Sequence, residues 1–153
     1  MQIFARRGSE SDCELLELLE FEGRSSLDEF RGGGRLAKEI SVVASNWSTE
    51  VNSKTVGIFV AGIDRTVMGY LLARLSSTAI GEIATIEQVF VTKDARNLGI
   101  GDALISATVE WAKGLKIVAL DALALPGDRE TKNLYERAGL VARLITVTTD
   151  LRD

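Results

Sequence analysis

The sequence predicts a single α/β (α+β) domain, spanning residues 1–153, in which helices cover both faces of a mixed β-sheet. Three observations predict this fold class. The length of 153 residues and the hydrophobic fraction of 46% suit one globular domain with its own core. Strand and helix patterns alternate in the second half, as they do around partly parallel sheets. Residues 82–92 are apolar on both alternating faces, which is typical of a central strand covered by helices on each side.

The first fifty residues are predicted to form one strand and then helices. The strand covers residues 2–7. Ser11, with Glu14 three residues later, is a capping box that starts the first helix. The helical patterns cover residues 12–22, 25–30 and 35–45. The glycine triplet 32–34 separates the last two, because three consecutive glycines are too flexible for a helix interior.

The rest of the chain is predicted to contain five strands and two helices. The strands cover residues 55–63, 66–75, 82–92, 117–125 and 141–151, and the helices cover residues 101–113 and 128–138. Asp64 and Arg65 form a hairpin turn, Gly114 ends one helix, and Asp128 caps the next. The order is therefore one strand, one or two helices, three strands, helix, strand, helix and a closing strand.

The strand at residues 82–92 carries its side chains on two faces. Strict alternation places Ile83, Val89 and Val91 on one face and Ala84, Ile86 and Phe90 on the other. Glu87 and Gln88 are the polar exceptions. An acidic side chain on an otherwise apolar central strand is a candidate for chemistry, because burial there raises a carboxyl pKa.

Composition excludes several classes of function. The net charge of −4 gives no reason to expect a nucleic-acid partner, and no apolar run is long enough for a membrane span. Residues 1–8 lack the apolar stretch of a secretory signal, so a cytoplasmic location is expected. There is no histidine, and Cys13 is the only cysteine. Histidine-based triads and the common zinc sites are excluded, no metal cofactor is expected, and Cys13 reads as a small apolar filler.

The loop at residues 96–101 carries the strongest functional signal. Gly99 and Gly101 stand between a strand and a helix, where glycines let the backbone approach a ligand and the first-turn N–H groups attract phosphate oxygens. Arg96 adds a cationic donor. The alternative is a tight strand-to-helix turn that binds nothing. A dinucleotide loop would need glycine at Leu104, and the Walker triplet is missing.

These residues resemble the GCN5-related N-acetyltransferase (GNAT) superfamily. Arg96-x-x-Gly99-x-Gly101 matches its Q/R-x-x-G-x-G/A signature, and the run from Asn133 to Leu140 resembles its L-Y-x-x-x-G-F motif. The resemblance is strong over residues 83–140 and loose before residue 55. It implies the element order β-α-α-β-β-β-α-β-α-β(-β).

The resemblance also implies acetyl-CoA as co-substrate and suggests which residues bind it. The pyrophosphate would lie against Arg96, Asn97, Leu98, Gly99, Ile100, Gly101 and Asp102. Val89 and Val91 would contact the pantetheine arm through main-chain groups. Asp128 stands where the family often has an asparagine that binds this arm, and Asn97 replaces the more usual arginine or glycine.

Two residues are candidates for acid–base catalysis. Tyr135 matches the tyrosine that protonates the leaving thiolate in many relatives; the alternative is a tyrosine packed at a helix–sheet boundary. Glu87 is a candidate base or holder of the substrate amine. The alternative is a glutamate at the end of the strand that reaches solvent or forms an ion pair with Arg96 or Lys93.

The predicted reaction is acetyl transfer to a primary amine of a small molecule or a protein, by direct attack on the thioester. Two other functions are open: an acyl-CoA sensor without catalysis, and a nucleotide-binding domain with a generic glycine loop. The acceptor amine is not readable from the sequence. Many relatives dimerise, so a homodimer is one possible state.

Overall fold

A five-stranded mixed sheet organises the chain, and the computed structural model describes residues 1–152. In spatial order the strands are β1 (Ile3–Arg7), β2 (Val56–Ile63), β3 (Thr66–Thr78), β4 (Gly81–Val91) and β5 (Ala119–Ala122). The first four pair antiparallel, and β4 pairs parallel with β5. This pairing follows from the connections, since β2, β3 and β4 are joined by short turns and β5 follows a helical crossover.

Helices cover both faces of the sheet, as the sequence predicts. They are α1 (Cys13–Ser26), α2 (Gly33–Glu39), α3 (Trp47–Val51), α4 (Ile100–Gly114) and α5 (Arg129–Arg137). Leu16, Leu19 and Trp47 pack on one face in a cluster with β2 and β3 residues, while α4 and α5 pack on the other face. The sheet therefore separates two buried clusters. Among residues 1–152, no helix is long and apolar enough to span a bilayer.

The helical region before β2 differs from its prediction in three ways. The chain enters α1 through a 3-10 turn at Glu10–Asp12, and Ser9 rather than Ser11 caps it, with its N–H donating to the Asp12 carboxylate at 2.8 Å. Arg6 of β1 binds the same carboxylate at 2.7 Å. Of the three glycines, only Gly32 lies outside a helix, with φ +82°, and α2 begins at Gly33.

The predicted helix over 35–45 was too long, because α2 covers only Gly33–Glu39 and a separate short helix, α3, begins at Trp47. Trp47 is almost completely buried against Tyr70, edge to face, with ring centroids 5.7 Å apart. Packing of this aromatic pair holds a five-residue helix that is too short to be stable on its own.

A β-bulge at Glu87 corrects the predicted faces of β4. Leu72 pairs with Gln88 and Ala73 pairs with Ile86, so Glu87 has no opposite residue on β3. The extra residue reverses the alternation. Ile86 therefore lies in the cluster beneath α4, whereas Phe90 lies in the cluster beneath α1. The prediction that these two side chains share a face was wrong.

The predicted closing strand at 141–151 is also absent from the sheet. Residues 141–152 form neither helix nor strand, and β5 covers four residues rather than the predicted nine. Of the described strands, β5 is therefore an edge strand of the sheet. The segment contacts the rest of the chain through Arg143, 3.8 Å from Asp121, and Thr148, which accepts a hydrogen bond from Arg35 at 2.7 Å.

Candidate active site

A cleft opens where β4 and β5 separate. The two strands pair only through residues 83–86 of β4 and Ala119–Ala122 of β5, although β4 continues to Val91 in contact with β3. Beyond Ile86 the cleft has a volume of about 720 Å³. Its walls come from β4, the loop before α4, the chain after β5, α5 and the region around α2.

Main-chain groups of β4 face this cleft. The N–H of Thr92 donates to Met68 O of β3 at 2.8 Å. Because main-chain groups point alternately to the two sides of a strand, those of Val91 and Val89 point away from β3, toward the cleft. Arg96 Nε donates to Val91 O at 3.2 Å, which agrees with this direction. The amides predicted to bind a pantetheine arm are therefore on the open side of β4.

The loop before α4 has the backbone geometry of an anion site. Gly99 has φ +93° and Asn97 has φ +62°, so the chain turns through two left-handed residues before α4 begins at Ile100. Ala103 N makes the first helical hydrogen bond, to Gly99 O at 3.1 Å. The amides of the preceding turn have no such helical acceptor, and they carry the positive end of a 15-residue helix.

Arg96 and Gly101 join this loop to its neighbours. The Arg96 guanidinium lies 5.7 Å from the Phe90 ring centroid and 3.4 Å from the Glu130 carboxylate of α5. A Cβ on Gly101 would lie 3.2 Å from Leu134 Cδ1. The missing side chain at Gly101 therefore allows close packing of α4 on α5, a role that the sequence reading had not assigned.

Two more predicted loop residues lie at the rim. Asp102, on the first turn of α4, forms an ion pair of 3.0 Å with Arg137 of α5, and both side chains are about half exposed. Leu98 is exposed. Asp128 caps α5 as predicted, accepting from Thr131 N at 3.1 Å.

Tyr135 reaches the cleft from α5. Its side chain is almost completely buried, and its hydroxyl donates to Leu123 O, directly after β5, at 3.2 Å. Burial raises the pKa of Tyr135, and the nearby Asp128 carboxylate raises it further. At neutral pH the hydroxyl thus keeps its proton at the point where β4 and β5 part.

Glu87 lines the cleft but is already paired. Its carboxylate lies 3.2 Å from Arg74 Nε, and Arg74 also contacts Glu50 at 3.4 Å. Neither Arg96 nor Lys93, the partners considered from sequence, is its partner in the structure. The bulge leaves Glu87 without a pairing residue on β3, two residues before Val89.

A buried polar network beside the cleft was missed in the sequence reading. Glu20 of α1 is almost completely buried and accepts from Val43 N, Ala44 N and Gln88 Nε2 at 2.9, 2.9 and 3.0 Å. Tyr70 donates to Gln88 Oε1 at 2.6 Å. The sequence did contain a sign that Glu20 is buried. Glu20 follows Leu16 by four residues, which places it on the apolar face of α1.

The protein-family comparison decides how this geometry is classified. The model of the acetyltransferase (GNAT) family matches residues 24–140. The chain belongs to the GNAT family. The matched residues include the loop before α4, Tyr135 and most of the cleft lining, so the candidate site of this GNAT chain lies within the part that matches the family.

Solved structures agree with the GNAT fold at low sequence identity. An aminoglycoside acetyltransferase from an uncultured soil metagenomic sample is 17% identical with a TM-score of 0.72, and the match covers 98% of this chain and 97% of that one. AAC(6')-Iy in complex with a coenzyme A bisubstrate analogue is 14% identical, with a TM-score of 0.72 and full coverage of both chains, 100% each. Ribosomal-protein-alanine N-acetyltransferase from Brucella melitensis is 14% identical, with a TM-score of 0.74 and coverage of 99% and 100%. Among curated protein sequences, none matches this GNAT chain.

Proposed function

We propose that this acetyltransferase moves an acetyl group from acetyl-CoA to a primary amine. One observation carries the proposal: the main-chain groups of Val89 and Val91 that point away from β3, the start of α4 and the Tyr135 hydroxyl all border one cleft. A thioester with a long amide-containing arm and a pyrophosphate needs these three features in this order. Hydrogen-bonding groups along the arm and amides at the phosphates meet that need.

The coenzyme is proposed to lie between β4 and β5. Its pyrophosphate would bind the amides of residues 99–102, and the amide groups of its arm would pair with the Val89 carbonyl and the Val91 N–H, which leaves the Val89 N–H free for the reaction. Asp128 is proposed to assist only through its cap on α5, since a carboxylate donates no hydrogen bond. The bisubstrate complex of AAC(6')-Iy supports a coenzyme A donor.

The reaction is proposed to be direct attack. The amine nitrogen bonds to the acetyl carbon, the carbon–sulfur bond breaks, and the Val89 N–H stabilises the oxyanion that forms between these events. Tyr135 gives its proton to the thiolate as it leaves. The amine nitrogen loses one proton as the amide forms. The reaction balances when that proton returns to the Tyr135 oxygen through solvent.

Glu87 is proposed to receive the amine. Its carboxylate attracts an ammonium group and takes the proton that must leave before attack, directly or through one water. In the free protein this carboxylate forms an ion pair with Arg74. The names of two of the similar solved structures mention an aminoglycoside and a ribosomal-protein alanine. We therefore propose two classes of acceptor, a small-molecule amine and a peptide amine.

The experiment is a panel of amines assayed for thiol release from acetyl-CoA, with polyamine, aminoglycoside, amino-acid and peptide members. Turnover of any amine supports the proposal. Acetyl-CoA should also raise the melting temperature more than NAD or ATP, because ligand binding to the folded state stabilises it. Equal shifts from all three ligands would contradict a coenzyme A site, and binding without turnover would indicate a sensor.

Tyr135→Phe tests the proposed acid. The change keeps the ring in place and removes the hydroxyl proton, so turnover should fall by about 10²–10³-fold while the Kd for acetyl-CoA stays within about threefold. Tyr70→Phe is the matched comparison, because it removes one hydrogen bond from the other buried tyrosine. If both variants lose the same activity, or Tyr135→Phe loses none, Tyr135 is not the acid.

A further inference from the structure

The Glu87 carboxylate lies on the face of the sheet that α1 and α3 cover. Tyr70 and Leu72 of β3 belong to the buried cluster on that face. Alternation along β3 places Arg74 on the same face, which agrees with the contact of 3.4 Å between Arg74 and Glu50 of α3. Because Glu87 lies 3.2 Å from Arg74 Nε, its carboxylate is on this face too. An amine held by Glu87 would therefore lie on the α1–α3 side of the cleft.

The chain before β2 forms the wall of the cleft on this side. Its large side chains that line the cleft are apolar, and each is half-buried: Leu27, Phe30, Leu36 and Ile40. Half-buried apolar side chains in a concave site are surface that a ligand can still cover. We call these four residues the apolar wall.

The apolar wall also packs on the chain after β5. A Cβ on Gly33 would lie 3.3 Å from Leu125 Cδ1, and a Cβ on Gly127 would lie 3.7 Å from Phe30 Cδ1. The start of α2 is therefore in close contact with residues 125–127 across the cleft. A ligand that extends from Glu87 along the wall would meet apolar side chains from both segments.

Charged groups on this side of the cleft are few and nearly balanced. Between residues 23 and 91, the acidic side chains that line the cleft are Glu29 and Glu87, and Arg24 is a cation among them. Glu87 is paired with Arg74, Glu29 is exposed, and Arg24 donates to Ile40 O at 2.6 Å. One ammonium group can bind at Glu87. A second one farther along would meet the apolar wall and the charge of Arg24.

We propose that the acceptor is an amine with a single positive charge and an apolar body. The inference rests on the proposed acetyl transfer, because it takes Glu87 as the group that receives the amine. The ammonium group binds at Glu87, and the body covers the apolar wall. A polyamine or an aminoglycoside is a poor acceptor, since its further ammonium groups would lose water against apolar side chains.

Three matched amines test the inference in the thiol-release assay with acetyl-CoA. Hexylamine extends ethylamine by four methylene groups, and hexamethylenediamine adds a second ammonium group at the far end of the same six-carbon chain. Each buried methylene contributes about fourfold, so kcat/KM should rise at least about 15-fold from ethylamine to hexylamine if half of the four are buried. It should fall at least about tenfold from hexylamine to the diamine. A diamine that equals or exceeds hexylamine overturns the inference.

Phenylethylamine and an uncharged peptide amide that begins with phenylalanine carry this chemistry on a small and on a large body. Each has one ammonium group beside an apolar ring. Turnover of either supports the inference, and the larger kcat/KM identifies the source as a small molecule or a peptide. If both are turned over at least about tenfold less well than the diamine, the inference is wrong.

Binding separates the inference from the proposed reaction. Calorimetric titration of the protein with hexylamine and with the diamine needs no turnover. If hexylamine binds at least about tenfold more tightly but no amine is acetylated, the reaction is refuted and the acceptor class is supported. If the diamine is acetylated more efficiently, the reaction is supported and the acceptor class is refuted. Absence of both binding and turnover refutes both.

A carboxylate added to the apolar wall should change the preference between these two amines. Leu36→Glu supplies it on α2, and Leu36→Gln is the matched control with nearly the same shape and no charge. The ratio of kcat/KM for the diamine to that for hexylamine should be at least about fivefold higher in Leu36→Glu than in the control. Ile40→Glu and Ile40→Gln replace this pair if circular dichroism shows that Leu36→Glu is unfolded. An unchanged ratio in the folded charged variant overturns the inference.

Discussion

Gly99 and Gly101 stand two residues apart in one loop, and the structure predicts different consequences for replacing them. Gly99 has φ +93°, a left-handed conformation that an L side chain adopts at a cost. Gly99→Ala should therefore lower the free energy of unfolding by about 1–2 kcal/mol. The nearest atom to the new Cβ is the flexible end of Ile3, at 3.2 Å, so the backbone conformation dominates the loss.

Gly101 lies in the first turn of α4, where alanine improves helix propensity by at most about 1 kcal/mol. Its new Cβ would lie 3.2 and 3.3 Å from the two methyl groups of Leu134, which is tighter than an ordinary contact. The gain and the crowding oppose each other, so Gly101→Ala should change stability by less than about 1 kcal/mol. Gly114→Ala is the matched control, because nothing lies within 4 Å of its Cβ position.

Urea unfolding and calorimetric titration with acetyl-CoA measure the two effects separately. Gly99→Ala should lose stability and at least about tenfold in affinity, because a changed turn moves the amides at the start of α4. Gly99→Asn should recover part of the stability, since asparagine tolerates the left-handed region, as Asn97 does at φ +62° in the same loop. If Gly99→Ala is as stable as the native chain, the backbone reasoning is wrong.

Two further predictions concern buried polar groups. Glu20→Ala leaves two buried donors and one partly buried donor without an acceptor and should cost about 2–4 kcal/mol in urea unfolding, whereas Glu17→Ala on the exposed side of α1 should change stability by less than about 0.5 kcal/mol. An equal loss in both would contradict the network. Burial raises the pKa of both tyrosines, Tyr70 and Tyr135, so above about pH 10 the unfolded chain loses protons first and stability should fall. Thermal melts from pH 8 to pH 11 should show a shallower fall for the double phenylalanine variant, and an unchanged slope would refute the assignment.

The sequence predicted the elements that local chemistry specifies. β2, β3 and β4 follow from alternating β-branched residues and short turns, and α4 and α5 follow from apolar periodicity with Gly114 and Asp128 at their ends. The loop before α4 lies at the cleft, because a strand, a glycine turn and a helix in succession leave little freedom for their arrangement.

Features that depend on distant residues could not be predicted. The bulge at Glu87 is visible only in the register of β3 against β4, and a period of two offers no sign of an inserted residue. Residues 141–151 have the composition of a strand, but a strand needs a neighbouring strand, and composition does not identify one. The Arg74 partner of Glu87 likewise comes from another strand.

The sheet divides the protein into two halves that can change independently. The cluster with α4 and α5 contains Tyr135 and supports the loop before α4, whereas the cluster with α1 and α3 contains Tyr70 and neighbours the network of Glu20 and Gln88. Substitutions on opposite faces share few partners, so their effects on stability should add. The α1–α3 half can therefore be redesigned for a new amine while the half that we propose to bind the donor is left untouched. Because the two clusters are separate, substitutions for a new amine should first be made in the α1–α3 cluster.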